Sequence, residues 1–159
     1  SVARQLAHIT YLSQNTLQRK FDRDVREDDN GKLGVKYEVE SYLHYKGRHF
    51  VRRFDANSYL YITKAIDDFD LTQNGKIKLS ELFKGTKTKV LVTSFTSDWL
   101  YPPEHGEEIV AGLAEAGVPV VYKKLDLPYG HDSFLVYNNT LGNTLTDFIE
   151  SEWDEYQNN

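Results

Sequence analysis

Apolar residues recur at two different spacings along this chain, and the change near Lys87 separates a helical first part from a strand-helix-strand-helix second part. In residues 2–21, Leu6, Ile9, Leu12 and Leu17 fit one helix, or two short helical turns, with a single buried stripe. Residues 22–34 break the pattern: they are acidic, contain Asn30-Gly31 and Gly34, and read as an exposed loop. Aromatics at helical spacing follow, first Tyr42, Tyr45 and His49, then Tyr59, Ile62, Ala65, Ile66 and Phe69. These aromatics are expected in core or helix-helix contacts. The break between the two sets falls at Phe54-Asp55-Ala56-Asn57-Ser58, where Asp55, Asn57 or Ser58 can cap the second helix.

Beyond Lys87 the pattern shortens. Lys89-Val90-Leu91-Val92-Thr93-Ser94-Phe95 is a β-branched apolar run of the kind buried on both faces of a parallel sheet. Pro102 and Pro103 open a helix to about Ala116, with Glu104, Glu107 and Glu108 in the first turns, where the helix dipole favours negative charge. Gly117 ends it. Val118-Pro119-Val120-Val121-Tyr122 is the next strand, and residues 141–156 form a closing helix that places Leu145, Phe148, Ile149 and Trp153 inward. The chain is therefore expected to be α/β, with a helical block ahead of a β-α-β-α run.

At 159 residues the chain has one domain's worth of sequence. Its net charge of −5, with signs mixed along the chain, argues against nucleic acid or an anionic membrane as partner, since either demands a basic face. No apolar run is long enough to cross a bilayer and no signal-peptide pattern opens the chain, so it is expected to be soluble, without an export signal. With no cysteine, disulfides and thiolate metal sites are excluded. The chain begins at Ser1 and contains no methionine, which suggests an excerpt, a processed piece or an edited version of a longer chain.

Two loops carry candidate chemistry. Thr96-Ser97-Asp98-Trp99-Leu100-Tyr101-Pro102 and Pro128-Tyr129-Gly130-His131-Asp132-Ser133-Phe134 follow consecutive strands, and in open α/β sheets reactive groups gather at the strands' carboxyl ends. On spacing alone Asp98 and His131 have two readings: an ordinary loop aspartate and loop histidine, or the acid and base of a triad in the order acid then base, as in α/β-hydrolases, where the nucleophile comes first. A carboxylate on one imidazole nitrogen fixes the tautomer, so that the other nitrogen can take a serine proton. The chain contains no G-x-S-x-G, and Ser133 reads as a loop hydroxyl, not as a nucleophile. A competing motif, Asp70-Leu71-Thr72-Gln73-Asn74-Gly75-Lys76-Ile77-Lys78-Leu79-Ser80-Glu81, fits several positions of a calcium-binding loop. It offers only Asp70 and Glu81 as charged ligands, holds Lys76 and Lys78 inside, and reads first as an Asn-Gly turn.

Five stretches in order, residues 3–11, 39–45, 53–60, 97–102 and 129–135, resemble the homoserine O-acyltransferases of methionine biosynthesis, in the α/β-hydrolase superfamily. The pairing of Phe54-Asp55-Ala56-Asn57-Ser58-Tyr59 with Gly130-His131-Asp132-Ser133-Phe134 is the more specific part of the match. The resemblance implies the C-terminal portion of an α/β-hydrolase fold with a helical lid insertion: residues 1–20 end a core helix and enter the lid, 21–84 form the lid and its connection, and 85–159 form the core. It also implies transfer of an acyl group from acetyl-CoA, or succinyl-CoA, to L-homoserine by a ping-pong route through an acyl-serine.

In that resemblance Asp98 and His131 are catalytic. Arg4 looks like the arginine that holds the homoserine carboxylate, Asp132 like the group that receives its amine, and Tyr11 like a tyrosine lining the same pocket. No metal and no permanently bound cofactor are implied, and the residues that would hold the CoA donor are not identified. The implied partners are homoserine, acyl-CoA, an N-terminal half supplying the serine, and a second copy in a homodimer through the lid; the implied location is the cytoplasm. Without the serine this polypeptide alone is expected to be inactive. The rival expectations are an esterase using the same acid and base, and a noncatalytic module that binds calcium or dimerises.

Overall fold

The computed structural model describes residues 1–26 and 34–158, so Asn30-Gly31 and most of the acidic loop read from the sequence lie outside the described residues. The chain divides into two compact units, Ser1–Asp70 and Leu71–Asn159.

The first unit is helical. The stripe in residues 2–21 forms two helices, α1 Val2–Tyr11 and α2 Gln14–Phe21, because Leu12 is extended and Ser13 caps α2 by accepting from the Thr16 N–H at 3.0 Å. Leu12 and Phe21 are buried. Helix α3, Glu38–Arg53, packs against α1, and its start is held by Glu40, whose Oε2 accepts from the backbone N–H of Lys36 and Tyr37, both at 2.8 Å. Gly47 is the contact residue: a Cβ there would lie 2.6 Å from Ser1 Oγ. Helix α4, Ala56–Asp67, starts at the expected break, with Asp55 accepting from the Ser58 N–H at 2.7 Å.

The aromatic faces of this unit differ from the expectation. Tyr42 packs against Phe21 and His8, and Tyr59 on α4 meets Phe50 of α3 at 5.8 Å between ring centroids, but Tyr45 on α3 and Ile62 and Ile66 on α4 are exposed. Helical spacing shows which residues share a face; it does not show what covers that face.

The second unit opens with a turn in which Gln73, Asn74 and Gly75 all have positive φ, followed by the single-turn helix α5, Leu79–Leu82. A calcium-binding helix-loop-helix needs a full exit helix after its loop, and four residues do not supply one. The segment is the Asn-Gly turn. Two parallel strands follow, β1 Val90–Phe95 and β2 Val120–Leu125, in register from Val90 opposite Val120 to Phe95 opposite Leu125. Strand β2 begins and ends later than the apolar run suggested, since Pro119 has no N–H for the ladder and the pairing continues through Lys123 and Lys124.

Helix α6, Pro103–Glu115, makes the crossover between the strands, and Gly117, at φ 74°, ends it. Gly112 lets α5 approach α6, for a Cβ there would stand 2.6 Å from the Leu79 Cβ. The core gathers Phe95, Leu125 and Leu127, with Tyr129 and Leu141 packed against it. Helix α7, Asn139–Gln157, is capped by Asn138, which accepts from the Leu141 N–H at 2.8 Å. Its stripe was expected inward, yet Leu145, Ile149 and Trp153 are exposed, the last two at 63% and 59%. Among the described residues no helix is long and apolar enough to cross a membrane.

Candidate active site

Asp98 and His131 leave the carboxyl ends of β1 and β2, and the parallel register sets Phe95 beside Leu125, so the two exit loops start side by side. The loops are then clipped together. Ser97 Oγ donates to the Leu127 carbonyl and accepts from the Gly130 N–H at 2.9 Å, while Thr96 Oγ1 donates to Asp126 Oδ1 at 2.6 Å.

Asp98 is fixed from both sides. Its Oδ1 accepts from the backbone N–H of Leu100 at 3.0 Å and of Tyr101 at 2.9 Å, which folds the loop back over the carboxylate and leaves the residue only 6% exposed. Its Oδ2 faces His131 Nδ1 at 2.9 Å. A buried carboxylate accepts only, so Nδ1 carries the proton and Nε2 is the basic nitrogen. The imidazole is held by rings: Tyr101 lies 5.2 Å and Phe134 5.3 Å from it, centroid to centroid.

His131 sits in a 3₁₀ turn, Gly130–Phe134, entered through Gly130 at φ 71°. Ser133 lies in the same turn but is fully buried and donates to the Gly130 carbonyl at 2.6 Å, so its hydroxyl closes the turn and is not presented as a nucleophile. Asp132, also in this turn, is half-buried, and its carbonyl accepts from the N–H of Leu135 at 2.9 Å and of Val136 at 3.1 Å. Asp98 and His131 open onto a cleft of about 330 Å³ lined also by Val92, Tyr101, His105, Ile109 and Phe134. Its apolar walls suit an acyl chain; the acid-base pair is at hand to move a proton.

Arg4 and Tyr11 belong to the first unit. The Arg4 guanidinium carbon lies 5.7 Å from the Tyr11 ring centroid and 5.1 Å from that of Phe50. Both rings are within cation–π range of the guanidinium.

Several groups were missed by the sequence reading. Ser97 stood next to the acid with no signal of its clipping role. Tyr101 was read only as part of the exit loop and His105 as part of the helix opened by Pro102 and Pro103; their rings are 6.4 Å apart. In the first unit, His8 has its Nδ1 3.2 Å from the Tyr42 hydroxyl, and burial, with the nearby charges of Arg4, Lys46 and Lys20, lowers its pKa to about 4. Among the described residues, no group of three or more His, Cys, Asp or Glu is placed to hold a metal ion.

No protein-family model matches the chain. It is similar over nearly its whole length to curated enzymes. It is 50% identical over 157 residues, 98% of this chain, to the homoserine O-acetyltransferase of Pelagibacter ubique strain HTCC1062. It is 47% identical over 95% of its length to that of Methanosalsum zhilinae. A homoserine O-succinyltransferase of Hahella chejuensis is 47% identical over 85% of the chain. The chain spans 42%, 31% and 36% of these three relatives. Among solved structures, homoserine O-acetyltransferase from Bacillus anthracis superposes with a TM-score of 0.65 at 18% identity, over 83% of this chain and 35% of that one. The chain is thus similar over nearly its whole length to part of homoserine O-acyltransferases, and its fold is similar to part of the Bacillus anthracis structure.

Proposed function

We propose that this chain is the lid-bearing C-terminal portion of a homoserine O-acyltransferase, with residues 1–20 entering the lid, 21–84 forming it, and 85–159 completing an α/β-hydrolase core. The reading is carried by the Asp98–His131 contact at 2.9 Å, on neighbouring strand exits, in a chain similar to those enzymes over nearly all of its length. Acetyl and succinyl relatives match at similar identity, and acetyl-CoA is taken here as the donor.

The chemistry follows from the geometry. In the first half-reaction, Nε2 of His131 takes the proton of a serine supplied by the remainder of the enzyme. The serine oxygen attacks the thioester carbonyl, the carbon–sulfur bond breaks, and the CoA thiolate leaves with the proton from the imidazolium. In the second, Nε2 takes the proton of the homoserine hydroxyl, whose oxygen attacks the acyl-serine; the ester forms on homoserine and the serine recovers its proton. Asp98 holds the tautomer and stabilises the imidazolium in both halves. By the resemblance, Arg4 is assigned to the homoserine carboxylate through its two-pronged donor, Asp132 to the substrate ammonium, and Tyr11 to the lining of the acceptor pocket. The helical lid favours the acceptor hydroxyl over water, which an acyl-enzyme otherwise meets first. The enzyme works in the cytoplasm as a homodimer joined through the lid.

The test uses the longer polypeptide that this reading requires. Mixed with acetyl-CoA alone, it should release one equivalent of free thiol in a burst and trap an acyl-serine, and added homoserine should discharge it to O-acetylhomoserine. Faster discharge by water than by homoserine would make the protein an esterase. No burst at all would reject covalent acyl transfer.

A further inference from the structure

One residue touches both members of the acid–base pair. The backbone N–H of Tyr101 donates to Asp98 Oδ1 at 2.9 Å, and the ring of the same residue lies 5.2 Å from the His131 imidazole, centroid to centroid, with 41° between the planes. All three residues belong to the second unit and line one cleft. His105, near the start of α6, is the farther neighbour of the Tyr101 ring, at 6.4 Å.

The two contacts have one origin. Because Asp98 Oδ1 accepts from the N–H of Leu100 and of Tyr101, the chain turns back over the carboxylate within three residues, and that turn sets the Tyr101 side chain against the histidine of the neighbouring loop. Phe134 differs, since it meets the imidazole from within the same 3₁₀ turn and its contact follows from local geometry. Core packing does not account for the Tyr101 ring: it is 59% exposed, and among the described residues its hydroxyl makes no hydrogen bond. What the ring does touch is the imidazole. A ring in that place restricts rotation of the imidazole. Its π face also favours the imidazolium, because 5.2 Å is inside the range of roughly 6 Å over which an aromatic face attracts a cation.

We propose that Tyr101 is a positioning residue of the acid–base pair: its backbone N–H fixes Asp98, and its ring, not its hydroxyl, holds His131 in line and steadies the imidazolium formed in each half-reaction. The kinetic consequence rests on the acyl-transfer reading above; the structural one rests on the Asp98–His131 contact alone.

Two measurements test it. In the 159-residue chain, Tyr101→Ala keeps the backbone N–H and removes the ring, so the downfield resonance of His131 Nδ1–H should broaden as its proton exchanges faster with water. Tyr101→Phe should keep it sharp. Since the ring is exposed, the urea midpoint should move little in either variant. In the longer enzyme, Tyr101→Ala should slow the thiol burst from acetyl-CoA about tenfold, with the half-saturating donor concentration changed less than about twofold, and Tyr101→Phe should restore the rate. A burst as fast without the ring would overturn the proposal, as would a resonance that stays sharp, shifted or not. Tyr101→Phe as slow as Tyr101→Ala would transfer the role to the hydroxyl, and a large fall in the urea midpoint would make the ring a folding element; either result rejects the inference. Absence of a burst from the unsubstituted longer enzyme, with the resonance responding as expected, would reject acyl transfer and leave the positioning of His131 by Tyr101 standing.

Discussion

Ser97 Oγ takes the Gly130 N–H at 2.9 Å and gives its own proton to the Leu127 carbonyl, so one hydroxyl ties the loop holding Asp98 to the loop holding His131. Gly130 is buried, and without Ser97 its N–H loses that partner. Ser97→Ala should therefore cost about 1–3 kcal/mol of stability, the range for stranding one buried donor. Urea denaturation measures the cost. The same variant should broaden or shift the downfield proton resonance of His131 Nδ1–H, because the distance to Asp98 is no longer pinned. An unchanged resonance would mean that the clip is not what sets the pair.

Asp98→Asn keeps the two backbone hydrogen bonds to its Oδ1 but can offer Nδ1 of His131 a donor in place of an acceptor. The imidazole then turns to the wrong tautomer, and acyl transfer in the longer enzyme should fall roughly 10⁴-fold, as in serine proteases with the equivalent change. Substrate affinity should hardly move. A rate within about threefold of the original would show that Asp98 is not the triad acid.

The proposed role of Arg4 at the homoserine carboxylate is tested by separating acceptor binding from acylation. In the longer enzyme, Arg4→Ala should leave the thiol burst from acetyl-CoA intact and weaken homoserine by about 2–5 kcal/mol, the scale for deleting one member of a buried charge pair. Asp132→Asn should weaken it similarly. Loss of the burst with an unchanged homoserine dependence would assign Arg4 to the donor or to the fold.

His8 makes stability depend on pH. Its pKa is lowered from 6.5 to about 4 by burial and by the charges of Arg4, Lys46 and Lys20. The unfolded chain binds this proton first as pH falls. Stability is thus undiminished above 6.5, declines as pH drops below it, and levels off for this group under about 4. Since the group is only partly buried, solvent screening leaves roughly 1–2 kcal/mol of the effect. Melting temperatures of the wild type and of His8→Gln across this range check it: the variant should lose that part of the slope. Parallel curves would place the acid sensitivity elsewhere.

Gly112 carries a steric prediction. A methyl at this position would meet the Leu79 Cβ at 2.6 Å, so Gly112→Ala should force α5 from α6 and destabilise the second unit by about 1–3 kcal/mol. Circular dichroism melts would show it, and Leu79→Gly in the same chain should recover part of the loss.

Local chemistry was legible in the sequence. Asp55 caps α4 at the expected break, Gly117 ends α6 and Asn74-Gly75 turns the chain, because each depends on a few neighbouring dihedral angles. The acid-then-base order on consecutive strand exits was also readable, since strand, helix and strand follow from the hydrophobic period. Only tertiary structure decided that β2 slides toward Lys124, that Ser133 is sealed into its turn, and that Ser97 joins the two loops. It decided too that Ile149 and Trp153 face outward, whereas Lys20 and Lys46, from different helices, share the ring of Tyr42. The physical reason is range: helix period and caps are set within a turn or two of chain, but burial, register and the meeting of charges depend on groups far apart in sequence, whose positions no local pattern encodes.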